Sequence, residues 1–268
     1  MPCLIQRVLI TIFCAGSLSA AFSQVDLPQL PNLVGAAVGV TTECSGCKDT
    51  MVGVVPGVRY VTESGRLIEW YGPYAQYNFG GLQGLQWGPA VNLKLGRSDL
   101  SDSVLNALPE IDTTIEFGGY VGYQYINAGE VPYTWRVGAN VLTNAGSVYD
   151  GARLNVSTTG WLPLSRRFLI GAGTGFSWAS RDFMNTYYGI DAAGAKASGL
   201  PGFAASGGAH QVIGWLGAIY QLHPNWYAGA GVFDQYLMGS AANTPIVTQR
   251  GTRNQLTYGV GLGYVWSP

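Results

Sequence analysis

The chain has 268 residues, of which 11% are charged and 39 are glycine, and its formal net charge is −1. With 47% hydrophobic residues it is too apolar for a disordered protein, and it lacks the basic excess that nucleic-acid binding requires. Soluble domains contain about 25% charged residues. This composition therefore favours a protein whose outer surface does not face water.

The first residues have the pattern of a secretory signal peptide. Arg7 gives a weakly positive start, an apolar stretch covers residues 8–15, and small residues lead to a plausible cleavage site at Ala21-Phe22-Ser23. The apolar stretch is shorter than the ~20 residues that a membrane-spanning helix needs. We therefore expect residues 1–23 to be a cleaved signal peptide and residues 24–268 to form the mature domain.

Four cysteines are present, and two of them, Cys3 and Cys14, fall in the predicted signal peptide. The mature chain keeps Cys44 and Cys47 in a C-x-x-C arrangement. Because export places this pair in an oxidising compartment, we expect a small local disulfide. A zinc site is the alternative, but a structural zinc site needs four ligands and no second cysteine pair exists. We expect no metal or cofactor.

Alternation of apolar with small or weakly polar residues dominates the mature chain and predicts β-strands. Eleven strands can be counted, and since bacterial single-chain barrels have an even number, we expect twelve, with ten as the alternative. The missing strand should lie in the first hundred residues, where alternation is poorest. The predicted strands are 33–41, 52–62, 66–79, 82–96, 112–126, 132–144, 150–162, 167–181, 210–222, 225–238 and 253–266.

The two faces of these strands indicate their surroundings. In the C-terminal segment one face is entirely apolar or aromatic, whereas the other is mostly glycine. A soluble sandwich would show a charged outer face instead, and small residues suit the crowded lumen of a narrow barrel. We therefore predict an all-β fold, a closed antiparallel transmembrane β-barrel in contact with lipid in the bacterial outer membrane. The apolar face comprises Leu256, Tyr258, Val260, Leu262, Tyr264 and Trp266.

Alternation also places five charged side chains in the predicted lumen, namely Arg59, Lys94, Glu116, Arg136 and Arg153. We favour a packed polar network, because ten to twelve strands leave little lumen and buried charges must be paired. The alternative is a narrow pore with a slight anion preference, since four cations face one carboxylate.

Two long stretches, residues 182–209 and 240–252, are predicted extracellular loops, and residues 98–111 could hold one helical turn. The first loop contains Tyr187-Tyr188-Gly189 and Leu200-Pro201, and the second contains Pro245-Ile246-Val247. Over about residues 112–266, these motifs and the strand spacing resemble the MipA/OmpV family of outer-membrane proteins. In that family a final aromatic residue belongs to the signal read by the barrel-assembly machinery, whereas here Trp266 is followed by Ser267 and Pro268.

The resemblance implies a scaffold that links a lytic transglycosylase to a peptidoglycan synthase, while other relatives are described as porin-like proteins or adhesins. No catalytic motif accompanies these roles, and we expect no enzyme. The two histidines, His210 and His223, lie at opposite ends of one predicted strand, about 40 Å apart at ~3.3 Å per residue. They cannot share a site, and we expect His210 to be an interface residue at the outer rim.

Overall fold

The computed structural model describes residues 32–266. The predicted signal peptide lies outside the described residues, as do Ser267 and Pro268. Among the helices in the described part, none has the length and apolar character that crossing a membrane would need.

Twelve antiparallel strands form one closed barrel, in which each strand pairs with its sequence neighbours and β1 closes on β12. The predicted closed barrel and its twelve strands are confirmed. The strands are β1 (Asn32–Thr42), β2 (Thr50–Val61), β3 (Leu67–Tyr71), β4 (Tyr74–Asn78), β5 (Gly84–Lys94), β6 (Thr114–Asn127), β7 (Tyr133–Asn144), β8 (Ala152–Ser165), β9 (Phe168–Ala179), β10 (Gly208–His223), β11 (Trp226–Leu237) and β12 (Asn254–Trp266).

The strand missing from the sequence count comes from the segment 66–79, which we predicted as a single strand. It is a hairpin of β3 and β4, each of five residues, joined at Gly72 and Pro73. Gly72 has a φ of 58°, in the left-handed region that favours glycine, and Pro73 fixes its own φ and has no N–H. These two residues turn the chain back after only half the length of a typical spanning strand.

The two ends of the barrel differ in their connections. One end has short turns at residues 62–66, 79–83, 128–132, 166–167 and 224–225, and also holds both ends of the described chain. Such short turns face the periplasm in outer-membrane barrels. The extracellular end has the longer connections, at residues 43–49, 95–113, 145–151, 180–207 and 238–253. These contain α1 (Ser103–Asn106), α2 (Arg181–Tyr188), α3 (Ala192–Ser198), α4 (Gly239–Asn243) and a π-helical turn (Ile246–Arg250).

The outer surface of the barrel is apolar. Val52, Val54, Leu85 and Leu216 are each at least 60% exposed, and comparable outward-facing residues occur around the barrel. Such an apolar surface is stable in contact with lipid. In the closed part of the wall the backbone groups of each strand pair with neighbouring strands, as lipid surroundings require. The protein is therefore a transmembrane barrel of the bacterial outer membrane, which accounts for its low content of charged residues.

The lumen is lined unequally around its circumference. β9 and β12 each turn three glycines inward and β1 and β11 two each, whereas β3 to β8 turn most of the long polar side chains inward. The indoles of Trp161 and Trp215, whose ring centroids are 5.3 Å apart, lie against Gly171 and Gly173. A Cβ at either glycine would overlap these rings. Glycine on one side of the barrel thus makes room for bulky side chains in the lumen.

Candidate functional site

The extracellular loops fold into a packed layer over the barrel mouth, here named the cap (residues 43–49, 95–113, 145–151, 180–207 and 238–253). The buried apolar residues of the described chain concentrate there rather than between strands. Two clusters make up this core. The first includes Tyr149, Phe183, Met184, Tyr187, Tyr188, Leu237 and Val247, and the second includes Cys44, Cys47, Leu100, Leu105, Leu108, Ile190, Leu200 and Ile246.

Cys44 and Cys47 form a disulfide in the β1–β2 loop, and both are buried in the cap. A lumenal side chain of β12, Gln255, holds this loop in place. Its Oε1 accepts a hydrogen bond from the Gly46 N–H (2.9 Å), and its Nε2 donates to the Cys47 carbonyl (3.2 Å). The disulfide loop is therefore anchored to the inner wall of the barrel.

Helix α2 lies where the cap meets the lumen. The Tyr187 ring lies 4.8 Å from the Lys94 ammonium, and the Phe183 ring lies 5.2 Å from the Arg153 guanidinium. A cation and the aromatic face beneath it attract each other, and the attraction is stronger when water is excluded. α2 thereby covers two of the cations that alternation placed in the lumen.

Tyr188 at the end of α2 contacts the histidine of β10. Its hydroxyl lies 2.8 Å from His210 Nε2 and 2.6 Å from Ser45 Oγ, and burial raises the pKa of Tyr188 to about 12. The expectation that His210 is an interface residue at the rim is wrong, because its side chain is 1% exposed and lies inside. The physical reason is a register shift in β10 between Ala209 and Gln211, which interrupts the alternation.

Near the mouth, the fully buried Glu116 is the centre of a polar cluster, here named the outer network. Its carboxylate accepts two hydrogen bonds from Arg153, one of them from Nε at 2.9 Å, and others from the Tyr149 hydroxyl and Asn92 Nδ2, both at 2.7 Å. Burial and the adjacent carboxylate both raise the pKa of Tyr149, which therefore stays a donor. The network joins β5, β6 and β8 to the β7–β8 loop of the cap.

Deeper in the lumen, Glu69 is the centre of a second cluster, here named the inner network. Two Arg136 nitrogens lie 2.8 and 3.2 Å from its carboxylate, and Gln76 Nε2 donates to it at 2.6 Å. Arg136 also donates to Gln124 Oε1 at 2.8 Å. Arg59 is the register partner of Glu69 on β2 and is 7% exposed.

The structure thus directs all five predicted charged side chains inward and divides them between two levels. Lys94, Glu116 and Arg153 lie at the outer network, whereas Arg59 and Arg136 lie at the inner one. Sequence reasoning missed Glu69. The alternation along β3 does indicate that Glu69 faces inward, together with Leu67 and Tyr71. The hairpin then shifts the inward-facing positions from odd to even residue numbers, so the same alternation does not continue into β4. There the inward-facing residues are Tyr74, Gln76 and Asn78.

Polar contacts between loops hold the cap together. Asp102 accepts hydrogen bonds from the N–H groups of Val104 (2.9 Å) and Leu105 (3.2 Å) at the start of α1 and pairs with Arg250 at 2.8 Å. Arg97 donates to the carbonyls of Tyr187 and Pro109, and burial lowers its pKa to about 10. The pairs Asp102–Arg250 and Arg97–Tyr187 join different loops, so the cap is a single packed unit.

The loop motifs that carried the family resemblance meet in the cap. Thr244 donates to the Tyr188 carbonyl at 2.7 Å, which connects the two motif-bearing loops. Leu200 and Ile246 pack in one cluster, and Tyr187 and Val247 in the other. Gly189 ends α2, Pro201 follows α3, and Pro245 precedes the π-helical turn.

Comparison with known proteins gives a family and several similar barrels. A family model described as MltA-interacting protein MipA matches residues 34–266. No curated protein matches the chain. Among solved structures, the NanC porin is 7% identical, with 86% of this chain and 98% of that chain covered and a TM-score of 0.49. The translocator domain of the autotransporter NalP from Neisseria meningitidis is 15% identical, with 88% of each chain covered and a TM-score of 0.41. OmpT of Vibrio cholerae is 10% identical, with 88% and 96% covered and a TM-score of 0.37.

Proposed function

The chain belongs to the MltA-interacting protein family, and we propose on this basis that it is a structural barrel that links a lytic transglycosylase to a peptidoglycan synthase. The observation that carries this proposal is the covered extracellular mouth. The cap packs over it, and ion-paired side chains extend across the lumen beneath. This construction favours a docking platform over a wide channel. In this proposal the barrel itself catalyses no reaction.

The periplasmic turns are the surface on which such enzymes would dock. They are short, and they expose charged side chains that can form hydrogen bonds and ion pairs with a partner, among them Glu63, Glu130, Arg166 and Arg167. Charged groups at the rim of an interface mainly govern the rate and specificity of association. A transient complex that depends on ionic strength is the expected behaviour.

Photocrosslinking in cells tests the proposal. A photoreactive amino acid at Glu130 or Arg167 should trap a lytic transglycosylase, whereas the same group at Lys196, which is exposed on the cap, should not. In purification without crosslinking, a higher salt concentration should release the enzyme if the turn charges contribute to binding. Failure to trap any peptidoglycan-processing enzyme at the turns would contradict the scaffold role.

A narrow anion-preferring channel is the second candidate, and one observation favours it. Four inward-facing cations accompany two carboxylates, so that the lumen carries a positive excess. Such an excess would favour anions in any residual water path. The capped mouth counts against sustained conduction, and recording in planar bilayers separates the two candidates.

A further inference from the structure

The barrel wall has a gap in its extracellular half, between β2 and β5. Residues 50–56 of β2 pair with β1 only, because β3 pairs with β2 no farther than Gly57. On the other side, pairing of β4 with β5 stops at Asn92. The five-residue hairpin strands rise only about 17 Å, at ~3.3 Å per residue, so they close the lower part of the wall and leave the upper part open.

The gap is framed on every side. Its lower edge is the hairpin turn, where Gly72 N–H donates to the Pro56 carbonyl (3.0 Å) and Leu93 N–H donates to the Pro73 carbonyl (2.8 Å). At its upper edge the β5–β6 loop reaches the β1–β2 loop, with Ser101 N–H donating to Glu43 at 3.0 Å. We name this opening the lateral window. At the hairpin turn, β2 and β5 are separated by three strand spacings, about 14 Å at ~4.8 Å each.

The window opens at the level of the lipid. Outward-facing side chains on both flanking strands are apolar and exposed, Val52 (68%) and Val54 (74%) on β2 and Leu93 (45%) on β5. These residues continue the apolar belt of the barrel. The opening therefore faces the hydrocarbon of the outer leaflet and not the extracellular water.

The inner side of the window is apolar as well. Met51 and Val55 point inward by alternation, yet they are 41% and 40% exposed, and a Cβ added to Gly53 between them would meet nothing within 4 Å. Beyond them on β5 lies Lys94, in a lumen with four cations and two carboxylates. An apolar passage thus leads from the lipid to a positively charged interior.

We propose that the lateral window admits a single-chain anionic amphiphile from the outer leaflet, with its head group directed toward Lys94 and its apolar chain lying along Met51 and Val55. The cap covers the axial route from outside, so the window is the opening through which a lipid-borne molecule reaches the lumen. The positive excess of the lumen selects the sign of the head group, and the apolar lining selects the chain. This inference does not depend on the scaffold role.

The test uses the mature protein in phosphatidylcholine vesicles and palmitate that carries a photoreactive diazirine in its chain. Adducts mapped by mass spectrometry should fall on the inward-facing Met51 and Val55. Unlabelled palmitate should compete, whereas hexadecyltrimethylammonium and hexadecanol should not. Labelling of Met51 and Val55 should fall by about tenfold in Gly53→Trp, which fills the window, as expected if binding loses about 1.4 kcal/mol.

The matched control is Gly214→Trp, because Gly214 faces the lipid far from the window and also has nothing within 4 Å of an added Cβ. It should retain the labelling. Competition on the native chain remains decisive if the window variant fails to fold. Adducts spread evenly over the outer belt, or equal competition by the cationic amphiphile, would overturn the proposal. So would a polypeptide trapped by a photoreactive residue at Val54, since it would mean that the free edge of β2 accepts a partner strand.

Discussion

Replacing Glu116 with glutamine removes the negative charge from the most buried polar cluster of the lumen. Glutamine has nearly the same shape, but its single amide oxygen can replace only one of the two carboxylate oxygens, of which Oε1 accepts from Tyr149 and Oε2 from Asn92. It cannot compensate the charge of Arg153, whose side chain is 9% exposed and whose ion-pair partner is fully buried. The variant therefore measures the cost of an unpaired buried cation together with the loss of one hydrogen bond to a neutral donor.

Breaking a buried ion pair by removing one partner costs about 3–5 kcal/mol. Arg153 keeps its contact with the Phe183 ring, which offsets part of this loss. We therefore expect the free energy of unfolding to fall by about 3 kcal/mol in Glu116→Gln. Glu69→Gln should cost less, because the Arg136 side chain of the inner network is 28% exposed and water can solvate it.

Urea unfolding of the lipid-refolded barrel, followed by tryptophan fluorescence, measures these differences by linear extrapolation. Glu130→Gln in an exposed periplasmic turn serves as the control and should change stability by less than about 0.5 kcal/mol. The double variant Glu116→Gln with Arg153→Met should recover part of the loss, since neither charge then remains. If Glu116→Gln unfolds at the same urea concentration as the control, the ion pair does not contribute as described. The same holds if the losses measured for Glu116→Gln alone and Arg153→Met alone simply add in the double variant.

Three further predictions concern the cap and the lumen. Serine at both Cys44 and Cys47 removes a short cross-link worth about 2 kcal/mol by loop entropy, so limited proteolysis of the cap should accelerate; an unchanged rate would contradict this. Burial alone would raise the pKa of Asp102, but backbone N–H groups and Arg250 hold it below its ordinary value. Its stabilisation is therefore complete above about pH 4 and lost as the pH falls through the lowered pKa. The protection of α1 amides against hydrogen exchange, relative to their intrinsic exchange rate at the same pH, should then fall with acid in the native chain but not in Asp102→Asn. Equal acid sensitivity would refute the assignment. In planar bilayers the native barrel should show no sustained conductance steps, whereas Tyr187→Ala should show brief conductance steps. Sustained anion-selective conductance from the native chain would contradict the covered mouth.

The strands could be predicted because alternation is a local property that depends on which face meets lipid. The even-number rule then indicated a missing strand, and the short hairpin supplies it. Glu69 was missed for the same reason that the hairpin was missed. A two-residue turn at Gly72 and Pro73 moves the inward positions from odd to even numbers, so that no single phase describes residues 66–79.

The cap could not be predicted, because its stability depends on pairs that are far apart in sequence. Tyr188 meets Ser45, 143 residues away, and Arg250 meets Asp102, 148 residues away. Neither the spacing nor the type of these residues indicates a partner. The position of His210 could not be predicted either, since a local register shift decides whether its side chain faces lipid or the lumen.

The free edge of β2 is the feature that most needs a physical explanation. The carbonyl of Pro56 points toward the hairpin, and by the period of two the backbone groups of Val54 and Val52 point the same way, above the last residue of β3. Unpaired backbone at lipid depth is costly, and barrels avoid it by closing every edge. A hairpin as long as its neighbours would close this one. The five-residue strands leave an opening whose lining is apolar inside and outside, and a molecule with an apolar chain in the window would shield the exposed backbone of β2 from the surrounding lipid while its head group reaches the lumenal cations.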